Sequence, residues 1–137
     1  MNLESIIEEL REHNLELPLP PRLPTEDEVC QIEKELGLNF HPDYKTYLLK
    51  ASDVVFGALE PALITIPNSH TYLPEVVKSA RAIGVPNNLL PFCQDNGDYF
   101  CLNDQGKVIY WSHNGATDES WPNLASWLKE EWISKHA

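Results

Sequence analysis

Residues 91–103 read PFCQDNGDYFCLN, and the fold turns on how this stretch reverses direction. Cys93 and Cys101 bracket Asp95 and Asp98, a grouping compatible with a metal site, a nucleophile with its helpers, or a plain hairpin. Asp95-Asn96-Gly97 and, one strand later, Asp104-Gln105-Gly106 share a pattern with glycine third. A three-residue loop made of a type I turn and a left-handed glycine fits both, whereas a two-residue Asn-Gly loop fits only the first. The three-residue loop pairs Gln94 with Asp98 and Phe92 with Phe100, gathering Leu90, Phe92, Phe100 and Leu102 on one face. The two-residue loop would put the phenylalanines on opposite faces. Because a one-residue slip moves a strand's whole apolar set, the three-residue register is the expected one. Carried through the second turn, it pairs Leu102 with Val108 and Phe100 with Tyr110. Cys93, Tyr99, Cys101, Ile109 and Trp111 then fall on the other face, where the carboxy-terminal helix is the expected cover. The cysteines become diagonal neighbours about 7–8 Å apart in backbone position, beyond comfortable disulfide geometry.

Helical periodicity surrounds this block. Leu3, Ile6, Ile7 and Leu10 form one stripe over residues 3–13. Prolines 18, 20, 21 and 24 then exclude helix and central strand, so 17–24 is an extended strap. Thr25-Glu26-Asp27-Glu28 is a capping box that starts a helix, with Val29, Ile32 and Leu36 on its apolar face and Gly37 as its left-handed stop. Pro42 fits a first helical turn, followed by Tyr44, Tyr47, Leu48 and Ala51. Residues 71–83 are helical again through Leu73, Val76, Val77, Ala80 and Ile83. Leu124, Trp127, Leu128 and Trp132 mark a last helix. The β-branched runs Val54–Phe56 and Leu63–Ile66 read as strands, joining those at about 89–94, 98–103 and 107–112. Connections in the last three are too short for parallel crossovers, so the class is α+β: a single domain over 1–137, with an antiparallel sheet of about five to six strands packed against helices at both chain ends. Its parts are an amino-terminal helix over 1–16, the strap over 17–24 and a core over 25–133.

Composition narrows the function. A chain of 137 residues, 42% hydrophobic and 23% charged, has the size and make-up of one globular domain. Charged residues interrupt every apolar run near the amino terminus, which excludes a secretory signal, and no run reaches the roughly 20 apolar residues of a membrane span. With three cysteines, which cannot all pair, a reducing cytoplasmic setting is expected. Twenty-one acidic against 10 basic side chains give a net charge of -11. That field repels nucleic acid and anionic membrane and attracts a basic partner.

The catalytic readings are weak. Zinc needs four converging ligands, usually from paired Cys-x-x-Cys or His spacings, and DNGD lacks the alternating acids and closing Glu of a calcium loop. A hydrolase with Cys93 as nucleophile, His113 as base and Asp95 or Asp98 as orienting acid requires a reactive thiol, whereas strand cysteines are usually inert packing residues. Turn aspartates more often cap their own backbone. No phosphate-cradling loop, nucleophile elbow or His-Glu-x-x-His motif occurs. No catalytic residue, metal or cofactor is therefore assigned.

The order of motifs resembles the SUKH superfamily, domains related to the fungal cell-wall-assembly regulators. The likeness is carried by the helix closing in EKELG (33–37), the run FHPDYKTYLLKAS (40–52), the block LLPFCQDNGDYFCLNDQGKVIYWSHN (89–114) and the helix ASWLKEEWI (125–133). It spans about residues 18–133. It departs from the family at Ser52–Gly57, where related sequences tend to carry a glycine-rich turn. The resemblance implies helices packed on an antiparallel sheet. For bacterial members it implies a non-catalytic immunity protein that binds and neutralises a cognate polymorphic or contact-dependent toxin, often a nuclease. The alternative it implies is a cytoplasmic adaptor of the cell-wall-assembly regulator type. On either reading the expected partner is a protein, for the first a basic toxin domain, with Asp95, Asp98, Tyr99, Asp104, Trp111 and Asp118 as candidate contacts around the hairpins.

Overall fold

Asn96 and Gly97 decide the central hairpin. In the computed structural model, which describes residues 2–136, both take positive φ, 51° and 89°, as the two central positions of a type I′ loop require. Asp95 therefore pairs with Asp98 across a two-residue turn, and the expected pairing of Gln94 with Asp98 gives way to Gln94 with Tyr99 and Cys93 with Phe100. The apolar set stays together all the same. The ladder shifts between Pro91 and Cys93, so that Pro91 meets Cys101 and Leu90 meets Leu102, the pairing implied by the three-residue loop. Phe92 is the extra residue of a β-bulge. Pro91 accounts for its position, because proline has no N–H for a ladder and is confined within sheets to edges, strand starts and bulges. The same shift sets Cys93 across from Phe100 and Cys101 across from Pro91 and Ile109. The thiols thus stand on opposite faces, not together on one.

The sheet is antiparallel and runs in chain order: β1 (Glu60–Pro61), β2 (Leu90–Asp95), β3 (Asp98–Leu102), β4 (Val108–Ser112) and β5 (Gly115–Trp121). The β3–β4 turn is the three-residue form read from the sequence. Asn103 Oδ1 accepts from the amides of Gln105 and Lys107 at 3.0 and 2.9 Å, and Leu102 pairs with Val108 and Phe100 with Tyr110 as expected. Gly106 closes it at φ 85°; a Cβ there would lie 2.6 Å from His41 Nε2, so a side chain would have to displace the imidazole that caps α3.

Four helices form where the apolar periodicity places them: α1 (Leu3–Glu12), α2 (Glu26–Leu36), α3 (Pro42–Ala51) and α4 (Leu73–Ala82). At the start of α2, Thr25 Oγ1 accepts the Glu28 amide at 3.2 Å and Glu28 accepts the Thr25 amide at 2.9 Å. Gly37 ends it with φ 65°. The carboxy-terminal helix, α5, opens at Leu124–Trp127, widens to a π-helix over Leu128–Ile133 and ends in Ser134–His136.

Two expected strands do not form. At 54–56, Val55 gives its N–H to Asn14 Oδ1 and its carbonyl to Leu15 N, both at 2.9 Å, so the end of α1 takes the groups a strand neighbour would need. At 63–66, only Leu63 makes a bridge, to Tyr72, and the sheet edge is the two-residue β1 instead. In compensation, β5 forms from GATDESW, a stretch with no apolar alternation, in which Trp121 is the buried residue.

Helices cover both faces of the sheet. On one, the Trp127 indole lies edge-on between Phe92 and Phe100, with ring centroids 4.9 and 5.1 Å away. Tyr44 of α3 backs Phe92 at 6.0 Å, and α1 packs on α3 and α5. On the other, α4 lies against β2. The cover over Tyr99 and Cys101 is therefore α4 and not the carboxy-terminal helix, which serves the phenylalanine face. Ile109 and Trp111, one strand further out, stay half-buried.

Removing a ring from the Trp127 cluster leaves a cavity that the fixed strands cannot close. Phe100→Ala is expected to cost about 3–5 kcal/mol, whereas Trp111→Ala on the opposite face should cost clearly less. Urea unfolding of both variants reads the difference as a larger fall in midpoint for Phe100→Ala at an unchanged slope.

Candidate functional site

Antiparallel order brings the β2–β3 and β4–β5 turns to the same end of the sheet, and Asp98 joins them. Its Oδ1 accepts the His113 backbone N–H at 2.9 Å and lies 2.9 Å from His113 Nδ1, while its Oδ2 accepts the Tyr110 hydroxyl at 2.9 Å. An ionised carboxylate only accepts, so the imidazole carries a proton on Nδ1. These bonds, the His113 ring first, hold the Asp98 carboxyl below its ordinary value. Tyr110 moves the other way: burial raises its phenol, and the neighbouring Asp98, Asp95 and Glu119 charges raise it further.

Carboxylates gather around this clasp. Lys135 lies 2.8 Å from Glu131, which raises its ammonium pKa, and Glu119 and Asp95 add to the effect. Asp95, Asp98, Glu119 and Glu131 thus share one end of the molecule with the His113 imidazole and the Lys135 ammonium, both already engaged. Asp118 stands beside them on an outward bend of β5. The β4–β5 ladder shifts between Ile109 and Trp111, and Thr117 Oγ1 ties the bend down by donating to the Tyr110 carbonyl at 2.8 Å.

The candidate contacts separate into three groups. Asp95, Asp98 and Asp118 belong to the acidic end, with Trp111 half-buried on the adjoining face between Tyr99 and Ala116. Tyr99 is 2% exposed and its hydroxyl lies 3.4 Å from Gln94 Nε2; α4 stands between its ring and solvent. Asp104 is exposed at the opposite end of the sheet, in the β3–β4 turn beside His41 and Asn39. Of the other members of the acidic end, the sequence marks His113 only as a candidate base and Tyr110 only as the partner of Phe100, and it does not single out Glu119. Tyr110 and His113 reach Asp98 through the β3–β4 register, whereas Glu119 depends on β5, whose polar sequence carries no strand signal.

The hydrolase grouping does not assemble. Cys93 and Cys101 are both fully buried, and burial raises their thiols, that of Cys101 to about 12. His113 turns its ring to Asp98 and Asn114, on the exposed turn. Among the described residues, no group of three or more His, Cys, Asp or Glu side chains is placed to hold a metal ion, and no helix is long and apolar enough to cross a membrane.

Charge is spent unevenly. Six of the ten basic side chains, Arg11, Arg22, Lys45, Lys50, Lys129 and Lys135, sit in ion pairs with carboxylates. Arg81 donates to the carbonyls of Val85, Pro86 and Leu89 at 3.4, 2.8 and 2.8 Å. What reaches solvent is dominated by the unpaired acids.

The SUKH_5 family model, SMI1-KNR4 cell-wall, matches residues 3–133. A crystal structure of a protein from Pseudomonas syringae pv. tomato is 46% identical in sequence, with a TM-score of 0.92, covering 96% of this chain and 98% of that one. No curated protein matches the sequence.

Two outcomes follow from this geometry. In the folded protein the exposed Cys30 should be the one thiol to react rapidly with a disulfide reagent at pH 8, Cys93 and Cys101 following only after denaturant is added; counting thiolate released with time checks this. Asp98, held below the unfolded carboxyl value of about 3.9, contributes stability that is present above that value and is lost as pH falls toward its folded pKa. Asp98→Asn should therefore be less stable than wild type at pH 7 and lose less stability between pH 5 and 3, as read by urea unfolding across that range.

Proposed function

Because the chain belongs to the SUKH family of SMI1-KNR4 cell-wall domains, we propose that it is a non-catalytic binding protein of the immunity type, which neutralises a cognate toxin domain of basic surface by stoichiometric complex formation. The observation that carries this reading is the acidic end of the sheet, where Asp95, Glu119 and the outward Asp118 lack a full complement of cations. Such a surface speeds encounter with a basic partner, and the half-buried Trp111 beside it offers the kind of aromatic area on which interface energy concentrates. Burial of both strand cysteines, with their raised thiols, supports binding over nucleophilic chemistry.

The reading is tested on the toxin domain encoded beside the gene. Stopped-flow mixing should show one-to-one association that is about tenfold slower at low salt for the Asp95→Asn/Asp118→Asn/Glu119→Gln variant. The gap should close at 1 M salt, where the screening length is about 3 Å. Absence of any complex, together with no protection of growth, overturns it. The cell-wall association of the family favours a second reading, an adaptor; a non-toxic protein partner and no toxin gene alongside would point there.

A further inference from the structure

At the β1–β2 side of the sheet, away from β4 and β5, two hollows meet at His70 and Gln94 to form one groove. The first, of about 520 Å³, lies between the 67–70 loop and Glu75 and Ser79 of α4. The second, of about 250 Å³, continues between Glu60 and the hairpin tip at Asp95 and Asn96. The surrounding structure is already fixed by hydrogen bonds. Leu63 N–H donates to the Thr71 carbonyl at 2.9 Å, and Ser69 Oγ lies 2.7 Å from Thr71 Oγ1, which holds the loop. At the junction, Gln94 Nε2 donates to the buried Tyr99 hydroxyl at 3.4 Å. The Gln94 carbonyl oxygen is thereby left as a free acceptor in the groove.

Charge and hydrogen bonding together select a cation. Each hollow has its own carboxylates, Glu75 in the first and Glu60 with Asp95 in the second, and no Lys or Arg lines either. Among the described residues Glu75 makes no ion pair, Asp95 has the Tyr110 hydroxyl at 3.5 Å, and Glu60 meets His70 at 2.8 Å. A helix start beside a cleft ordinarily draws an anion to its free N–H groups, but the first turn of α4 has none to offer. Leu73 N–H goes to the Leu63 carbonyl at 2.8 Å, Pro74 has no N–H, and Glu75 and Val76 donate to the Tyr72 carbonyl at 2.9 and 3.0 Å. An anionic lipid surface or nucleic acid would meet only the carboxylates, and a second copy would bring the same acids against them.

We infer that this groove receives an extended basic segment of a protein partner, with one lysine or arginine side chain seated in each hollow. Two hollows in line, each with separate carboxylates, suit one chain that carries two cations. The inference rests on the binding reading above and adds to it the place where the partner is gripped. Exposed acids at the end of the sheet speed encounter, whereas a groove with fixed sides slows release.

Two measurements on the full chain test it. In the first, a capped Gly-Arg-Gly-Arg-Gly peptide is titrated into the isotope-labelled protein at low salt and followed by amide NMR, with no toxin present. Saturable movement of the Asn68, His70 and Gln94 signals is expected, with affinity about tenfold lower for Glu60→Gln/Glu75→Gln. No saturable movement there, movement confined to the β4–β5 end, or tighter binding of spermine than of the peptide overturns it. The second measurement uses the toxin domain and the neutral block Asn68→Trp. Asn68 is exposed and, among the described residues, its side chain makes no hydrogen bond, so the unfolding midpoint should not change. The complex of Asn68→Trp should dissociate about tenfold faster, with association and its salt dependence as in wild type, whereas Asp118→Asn/Glu119→Gln slows association instead. A complex that forms and dissociates alike for Asn68→Trp and wild type overturns the groove and leaves the binding reading standing. If no complex forms, the binding reading fails and the peptide titration decides the groove alone.

Discussion

Trp127 can sit edge-on to Phe92 and Phe100 only if both phenylalanines leave the sheet on the same side, and much of the fold follows from that demand. The Asn96-Gly97 loop works against it, since its two-residue turn puts Phe92 and Phe100 out of phase. One inserted residue, at the place where Pro91 could not have served an unbroken ladder, restores the phase. Shape and not hydrogen bonding explains the choice of tryptophan: its Nε1 is buried and, among the described residues, has no partner. Leaving such a donor unsatisfied costs about 1–3 kcal/mol. The edge-to-face contacts and the area of a fully buried indole offset it.

Where local chemistry is sufficient, the sequence was readable. Thr25 and Glu28 start α2, Gly37 stops it, and Pro42 opens α3 without help from the rest of the chain. Asn103 and Gly106 likewise fix the β3–β4 turn and with it the pairing of Leu102 with Val108. The errors arise where two local rules compete or where a partner lies far away in sequence. At 95–98 a preferred turn and a preferred hydrophobic phase conflict, and a bulge satisfies both; the strand proline was the available signal. Val54–Phe56 has the composition of a strand, but Asn14 and Leu15 claim its backbone from 40 residues upstream. β5 is an edge strand, so little apolar alternation is required of it, and Asp118 and Glu119 on its bend guard the open edge against pairing with other chains.

The acidic end was legible only in part, for the same reason. Asp95 and Asp98 announce a turn tip, and the β3–β4 register brings Tyr110 and His113 to them, but Glu119 joins through β5, whose pairing the sequence does not display. Tyr99 and Trp111 alternate together in the ladder and were read as equivalent. The position of α4 separates them, covering the inner strand and leaving the outer one half open.

This arrangement divides the acidic end into a part the fold needs and a part it does not. Asp98 binds two turns together through three hydrogen bonds, so a change there alters the shape of the whole end as well as its charge. Asp118 and Glu119 stand on a bend whose anchors are the Thr117 hydroxyl and the Trp121 ring, the latter packed on Phe100 at 5.6 Å. Their side chains can be exchanged without disturbing either anchor. On the proposed binding reading, such a surface can alter its charge pattern to follow a changing partner, while the Trp127 cluster beneath it stays the same.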